Sequence, residues 1–178
     1  MYVEIKTKRL LLRPLRPEDF PDVCQYIGDP ENTRFMLFMQ NFTKDETRQF
    51  LSEAWAEWQM DQPRLYEFAV MLSGKHIGIG SVSLEEENTA ELGWILNKDY
   101  WKRGYGVETA LALKKFAVDT LCVLRLSAHC DSRNESSRRL MEKIGLKTEG
   151  PNGTRTYPKN GETAEELLYT LNLRSSAD

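Results

Sequence analysis

Residues 101–117 read WKRGYGVETALALKKFA. A basic pair, Lys102-Arg103, runs into Gly104-Tyr105-Gly106, and an alanine- and leucine-rich helical pattern follows at once. Glycine lets backbone N–H groups come close to a bound group, and a helix start attracts anions. A phosphate-binding P-loop needs Gly-Lys-Ser/Thr at its end, so Val107-Glu108-Thr109 excludes that reading. A dinucleotide fingerprint needs a third glycine at 109, where threonine stands, although Asp131 does supply an acidic residue after the next strand. A third reading is a pyrophosphate held by successive N–H groups from Lys102 to Val107, with the two basic side chains adding charge beside the helix end. The plain alternative is a tight strand-to-helix turn whose glycines serve geometry alone.

The segments before this stretch alternate with period two. EFAVML (67–72), HIGIGSVSL (76–84) and TAELGWIL (89–96) are predicted strands, joined by Ser-Gly-Lys and by an acidic turn at Glu85, Glu86 and Glu87. Such short connections make an antiparallel meander, which argues against the dinucleotide reading, since that fold alternates strands and helices from its start. Gly78, Gly80 and Gly93 inside these strands mark bulges or close backbone approaches. Further upstream, residues 2 to 15 read as one strand, Pro17 opens a short helix ending at Gly28, and TKDE (43–46) is a capping box for a helix bearing Trp55 and Trp58. Those tryptophans fall on a core-packing stripe.

Downstream, a helix over roughly 105–121 leads to the strand LRLSAHC (124–130). SRNESSRRLMEKIG is a helix with Ser132 and Glu135 in capping-box spacing and Gly145 as its stop. Strands at 154–157 and 165–173 flank an Asn160-Gly161 turn, and 174–178 reads as a frayed tail. The sum is one mixed α/β (α+β) domain over 1–178: a mostly antiparallel sheet with a strand–helix–strand unit at its centre.

Bulk properties narrow the function. With 27 acidic against 24 basic residues the net charge is −3, which disfavours sequence-independent nucleic-acid binding and suits a cationic substrate better. Cys24, Cys122 and Cys130 lack paired spacing, and His76 and His129 form no ligand cluster, so neither a disulfide framework nor a metal site is expected. No signal-like or membrane-spanning apolar run is present, and a soluble, cytoplasmic protein is the expectation.

Taken in order, TKRLLLRPLRPEDF, ELGWIL leading into YWKRGYGVETA, RNESSRRLMEKIGLKTEG and the final hairpin resemble the GNAT superfamily of acetyl-CoA-dependent N-acetyltransferases. The resemblance is nearest to the branch containing ribosomal-protein N-terminal acetyltransferases, polyamine acetyltransferases and some antibiotic-modifying enzymes. It covers nearly the whole chain. It implies a sheet splayed near its middle, with acetyl-CoA wedged between the parted strands and no metal. The acceptor would be a protein N-terminus or a small-molecule amine, and family habit suggests a homodimer.

The same resemblance assigns roles. Lys102, Arg103, Gly104, Tyr105, Gly106 and Val107 would hold the CoA pyrophosphate; Trp101 replaces a polar residue of the usual motif. Backbone groups of Leu96 and Asn97 would face the pantetheine arm. Asn134 would face the cofactor while also serving as a helix cap, and Ser137 would lie near the CoA sulfur as a candidate acid. An attacking amine must first lose a proton, since an alkylammonium has a pKa of about 10. Glu91, sharing a strand face with Gly93 and Ile95, is the candidate base. Many family members carry a tyrosine at the position of Met141, so that acid is lacking here. A CoA-binding sensor domain without catalysis is the alternative reading, and a nucleotide-binding oxidoreductase a distant third.

Overall fold

The computed structural model describes residues 3–40, 42–86 and 88–173. Its strands are β1 (Ile5–Lys6), β2 (Leu10–Pro14), β3 (Leu65–Leu72), β4 (Lys75–Leu84), β5 (Thr89–Leu96), β6 (Arg125–Asp131), β7 (Lys147–Thr156) and β8 (Thr163–Asn172). Four α-helices accompany them: α1 (Phe20–Ile27), α2 (Lys44–Trp58), α3 (Tyr105–Asp119) and α4 (Glu135–Lys143). One eight-stranded sheet runs in the order β1-β2-β3-β4-β5-β6-β8-β7, antiparallel except between β5 and β6. That single parallel pair follows from the α3 crossover between them, since two strands joined through a helix on one face return in the same direction.

The two faces of the sheet carry separate cores. Residues such as Phe68, Val82, Leu92 and Leu126 meet α3 and α4 through Leu113, Phe116 and Met141. Ala69, Ile79 and Ile95, on the opposite face, lie under Val23 and Ile27 of α1 and Leu51 and Ala54 of α2. Trp58, at the end of α2, is 2% exposed, donates from Nε1 to the Glu67 carbonyl at 2.8 Å and packs edge-on against Tyr66 and Phe68. It is core, as its spacing predicts.

Several expected boundaries move. The single strand predicted over 2–15 is two strands, because Thr7 turns the chain: its N–H donates to the Leu10 carbonyl at 2.9 Å and its Oγ1 accepts from the Leu10 N–H at 2.9 Å. Tyr2 lies outside the described residues, as do Glu87 and the tail at 174–178. β7 starts at Lys147 instead of 154. Gly150 and Gly153 sit at φ of 91° and 93° beside two register shifts, and this bulging erases the period-two signal. The α4 cap is Asn134, not Ser132: Asn134 Oδ1 accepts from the Ser137 N–H at 3.1 Å. The Thr43–Glu46 capping box of α2 forms as expected. Among the described residues no helix is long and apolar enough to cross a membrane.

Candidate active site

β5 and β6 pair at Thr89–Arg125, Ala90–Leu126 and Glu91–Ser127, and there their ladder stops. β5 continues to Leu96 against β4, while β6 continues to Asp131 against β8. A wedge-shaped gap opens between them. The Asn97 N–H donates to the Ile77 carbonyl at 2.8 Å, so by antiparallel alternation Gly93, Ile95 and Asn97 bond β4. Leu92, Trp94 and Leu96 then direct their backbone groups toward the gap. Of the expected pair, Leu96 therefore presents its N–H to the gap. Both backbone groups of Asn97 are engaged, the carbonyl accepting from Tyr100.

The chain beyond β5 forms the loop expected to hold an anion. Lys102 and Gly104 adopt left-handed backbone, with φ of 60° and 80°. Gly104 is the N-cap of α3 and offers no side-chain acceptor, in contrast to Thr43 on α2 and Asn134 on α4. The first N–H groups of a helix have no intrahelical partner. Those at Tyr105, Gly106 and Val107 thus face outward beside the exposed Lys102 and Arg103. Gly106 also brings α3 against α4, since a Cβ there would stand 3.0 Å from Leu140 Cδ1.

Arg9, given no role by the sequence, fixes this loop. Its Nε donates to Glu108 Oε2 at 2.6 Å, its N–H to Glu108 Oε1 at 2.8 Å, and its Nη1 to the Arg103 carbonyl at 2.9 Å. The guanidinium also lies 4.4 Å over the Tyr105 ring, and Thr7 Oγ1 donates to Glu108 Oε1. Asn32 does similar work at the end of β5. Its Nδ2 donates to the Leu96 carbonyl at 3.0 Å and its Oδ1 accepts from the Lys98 N–H at 2.7 Å. Trp101 Nε1 donates to the same Leu96 carbonyl at 2.7 Å, so the residue that replaces a polar motif position still makes a polar contact.

On the far side of the gap, α4 begins just after β6. Asn134 caps it, and Ser137, half-buried, lies in its first turn. Asp131 holds this junction: it accepts from Arg133 Nη2 and Tyr157 Oη, both at 2.7 Å. Burial would raise its pKa, but the Arg133 bond leads the contacts that hold it down at about 2. Met141 is fully buried in the α3/α4 core, so that position supplies packing.

At the apex of the gap stands a pair that only the fold brings together. His129 Nδ1 lies 3.0 Å from Glu91 Oε1. A carboxylate can only accept, so Nδ1 carries the proton and the neutral ring keeps its lone pair on Nε2. The hydrogen bond to Glu91 raises the His129 pKa above its ordinary 6.5, against the opposing effect of burial; the charges of Glu91, Glu166 and Glu85 add to the rise. The signal for His129 lies in the alternation of LRLSAHC, which sets Ser127 and His129 opposite to Leu126 and Ala128. Only the parallel β5–β6 register shows that this face is also Glu91's. Opposite the pair, Arg155 joins Glu166 at 2.8 Å and donates to the Phe35 carbonyl at 3.3 Å, tying the 30–42 connection to the final hairpin. Among the described residues no cluster of His, Cys, Asp and Glu is arranged to hold a metal ion.

A sheet opened between two parallel strands, with two helix starts at the open end and an acid–base pair at the apex, is the frame of an acyl-transfer enzyme, and the antiparallel order removes the dinucleotide reading. The chain belongs to the GNAT acetyltransferase family: the acetyltransferase (GNAT) domain matches residues 9–147. The Bacillus subtilis (strain 168) N-acetyltransferase YnaD is 28% identical over 172 residues, which is 95% of this chain and 96% of that protein. The crystal structure of a GNAT-family acetyltransferase from Bacillus anthracis superposes with a TM-score of 0.81 at 28% identity, covering 96% of this chain and 98% of that one. The fold is also that of RimL, the ribosomal L7/L12 α-N-protein acetyltransferase solved in complex with coenzyme A. There the TM-score is 0.79 at 15% identity, covering 96% and 98% of the two chains.

Proposed function

We propose that this N-acetyltransferase moves the acetyl group of acetyl-CoA onto a primary amine. The observation that carries the reading is the coincidence, at one gap, of three features: the end of the β5–β6 ladder, the uncapped start of α3, and the Glu91–His129 pair. The residues present fit the donor. The cradle from Lys102 to Val107 suits a pyrophosphate, with the helix end and two basic side chains complementing its charge. Leu96 N–H, directed at the gap, suits the pantetheine arm, and Asn134 and Ser137 border the gap from α4. When bound, acetyl-CoA supplies a thioester, an acyl group already activated toward amines.

The chain's own residues supply the proton chemistry. The acceptor reaches the apex as an ammonium and becomes nucleophilic on losing a proton. His129 Nε2 takes that proton, while Glu91 fixes the ring's tautomer and stabilises the imidazolium that forms. Glu91 thus acts through His129, which refines the expectation that Glu91 is itself the base. Ser137, in the first turn of α4, remains the candidate for protonating the departing thiolate.

The test is thiol release from acetyl-CoA in the presence of amino-terminal peptides, polyamines and aminoglycosides. Release that depends on one of these amines is the expected result. Retention of acetyl-CoA with no amine-dependent release across the panel would contradict it and favour a sensor domain.

A further inference from the structure

Across the α1/α2 face of the sheet, polarity changes from one row of side chains to the next. The row Ala69, Ile79 and Ile95 is apolar and lies beneath α1 and α2. The adjacent row is Glu67, Ser81 and Gly93. The one after it is Leu65, Ser83 and Glu91, continuing to Ser127 on β6 and Thr170 on β8. A polar band therefore leads across β3, β4 and β5 to the apex of the gap.

Glu67 is the member of this band that the catalytic pair does not explain. It is 5% exposed, and its Oε2 has no hydrogen-bond partner. Trp58 Nε1 and the Leu15 N–H engage its backbone carbonyl and leave the carboxyl alone. Burial pushes its pKa up to about 8. A carboxyl taken out of water without a donor or a cation is destabilising, and an apolar side chain of similar size would escape that cost. Gly93 links it to the gap: a Cβ there would stand 2.4 Å from Ser81 Oγ, so the missing side chain is what lets the Ser81 hydroxyl lean toward β5.

Position rules Glu67 out as the base for the attacking nitrogen. β3 and β5 are two strand spacings apart, about 10 Å, whereas Glu91 and His129 stand at the gap itself. What this position suits is a different group on the same acceptor. Building on the acetyltransferase reading, we propose that Glu67, with Ser81, is a specificity-determining part of the acceptor site that receives a second ammonium group, so that acceptors carrying two amino groups are preferred over those carrying one. A second ammonium arriving at Glu67 would give the buried carboxyl the cation it lacks, while the first amine is deprotonated at His129.

The experiment compares matched acceptors in thiol release from acetyl-CoA by the full chain: butylamine with 1,4-diaminobutane, hexylamine with 1,6-diaminohexane, and Ser-Ala with Ser-Lys amides. Wild type is expected to favour the dicationic member of at least one pair. Glu67→Gln and Glu67→Met should each reduce that preference tenfold or more, chiefly by raising KM for the dication, with kcat/KM for the monoamine little changed. The thermal midpoint of Glu67→Met should equal or exceed that of wild type. Absence of a preference, a preference that survives both substitutions, or an equal loss for both members of a pair would overturn the role given to Glu67. Absence of release with every pair while acetyl-CoA is retained would instead overturn the acetyltransferase reading on which it rests.

Discussion

His129 Nδ1 and Glu91 Oε1 lie 3.0 Å apart across two strands that are paired up to Glu91 and parted beyond it. The pair therefore closes the apex of the gap, where, on the proposed function, an acceptor entering from the α1/α2 face would meet a donor held by the starts of α3 and α4. If the two residues act as one base, His129→Gln and Glu91→Gln should each lower kcat by about 10²-fold or more. Acetyl-CoA affinity, read by calorimetry, should stay near wild type. The double variant should be little worse than the poorer single one, since residues acting as a unit are not additive.

Gly104 should separate donor binding from catalysis. Its φ of 80° costs a residue with a Cβ roughly 1–2 kcal/mol, and that Cβ would lie 3.3 Å from Arg9 Nη2. Gly104→Val is expected to weaken acetyl-CoA binding at least about tenfold, the equivalent of 1.4 kcal/mol. Equilibrium titration checks this, and unchanged affinity would remove the cradle from the account.

Arg9 gives a second handle on the same loop. Arg9→Ala removes its side-chain bonds to Glu108 and the Arg103 carbonyl and its contact with Tyr105. The Arg9–Glu108 pair is partly exposed, so the stability loss should be small, about 1 kcal/mol or less. The effect on acetyl-CoA Kd should be larger than that on the thermal midpoint, because the substitution loosens the loop that would meet the phosphates. Glu108→Gln should have the same effect in weaker form.

The Asp131 junction makes stability depend on acid. Burial raises its pKa, but Arg133 and Tyr157 outweigh that and hold it at about 2, below its ordinary 3.8. A depressed carboxylate contributes stability above its unfolded pKa and loses it as pH falls through the folded one. The contribution should therefore be complete above pH 3.8 and fade toward about 2. Asp131→Asn should lower unfolding free energy at neutral pH by roughly 1.5–3 kcal/mol, nearer the lower figure because water screens the half-exposed Arg133. Urea unfolding of both proteins from pH 2 to 7 should show the curves converging in acid.

Sequence patterning reached the frame because its signals are local. Thr43-to-Glu46, the alternation of residues 67 to 96, and Gly104 before a helical run each depend on residues a few positions apart. The left-handed turn and uncapped helix start at Lys102 to Val107 were legible for the same reason. His129 and Arg9 were not, because each acts through a partner far along the chain: Glu91 is 38 residues from His129, and Glu108 is 99 from Arg9. In the sequence β7 reads short because Gly150 and Gly153 break its alternation, and the capping-box spacing of Ser132 and Glu135 competes with Asn134 for the start of α4. Glu67 reads in the sequence as one polar residue in an apolar strand, and only the register against Ser81 and Gly93 gives it a direction.

The most direct test of the central claim, that the Glu91–His129 pair deprotonates the acceptor, is the pH dependence of kcat/KM for wild type and Glu91→Gln with one accepted amine. Glu91 raises the His129 pKa, and a protonated ring cannot accept a proton, so the wild-type rate should fall below an apparent pKa higher than 6.5. Glu91→Gln removes the group that raises it, and the acid limb should move to lower pH while the plateau drops. An acid limb that stays in place, with an undiminished plateau, would contradict the account.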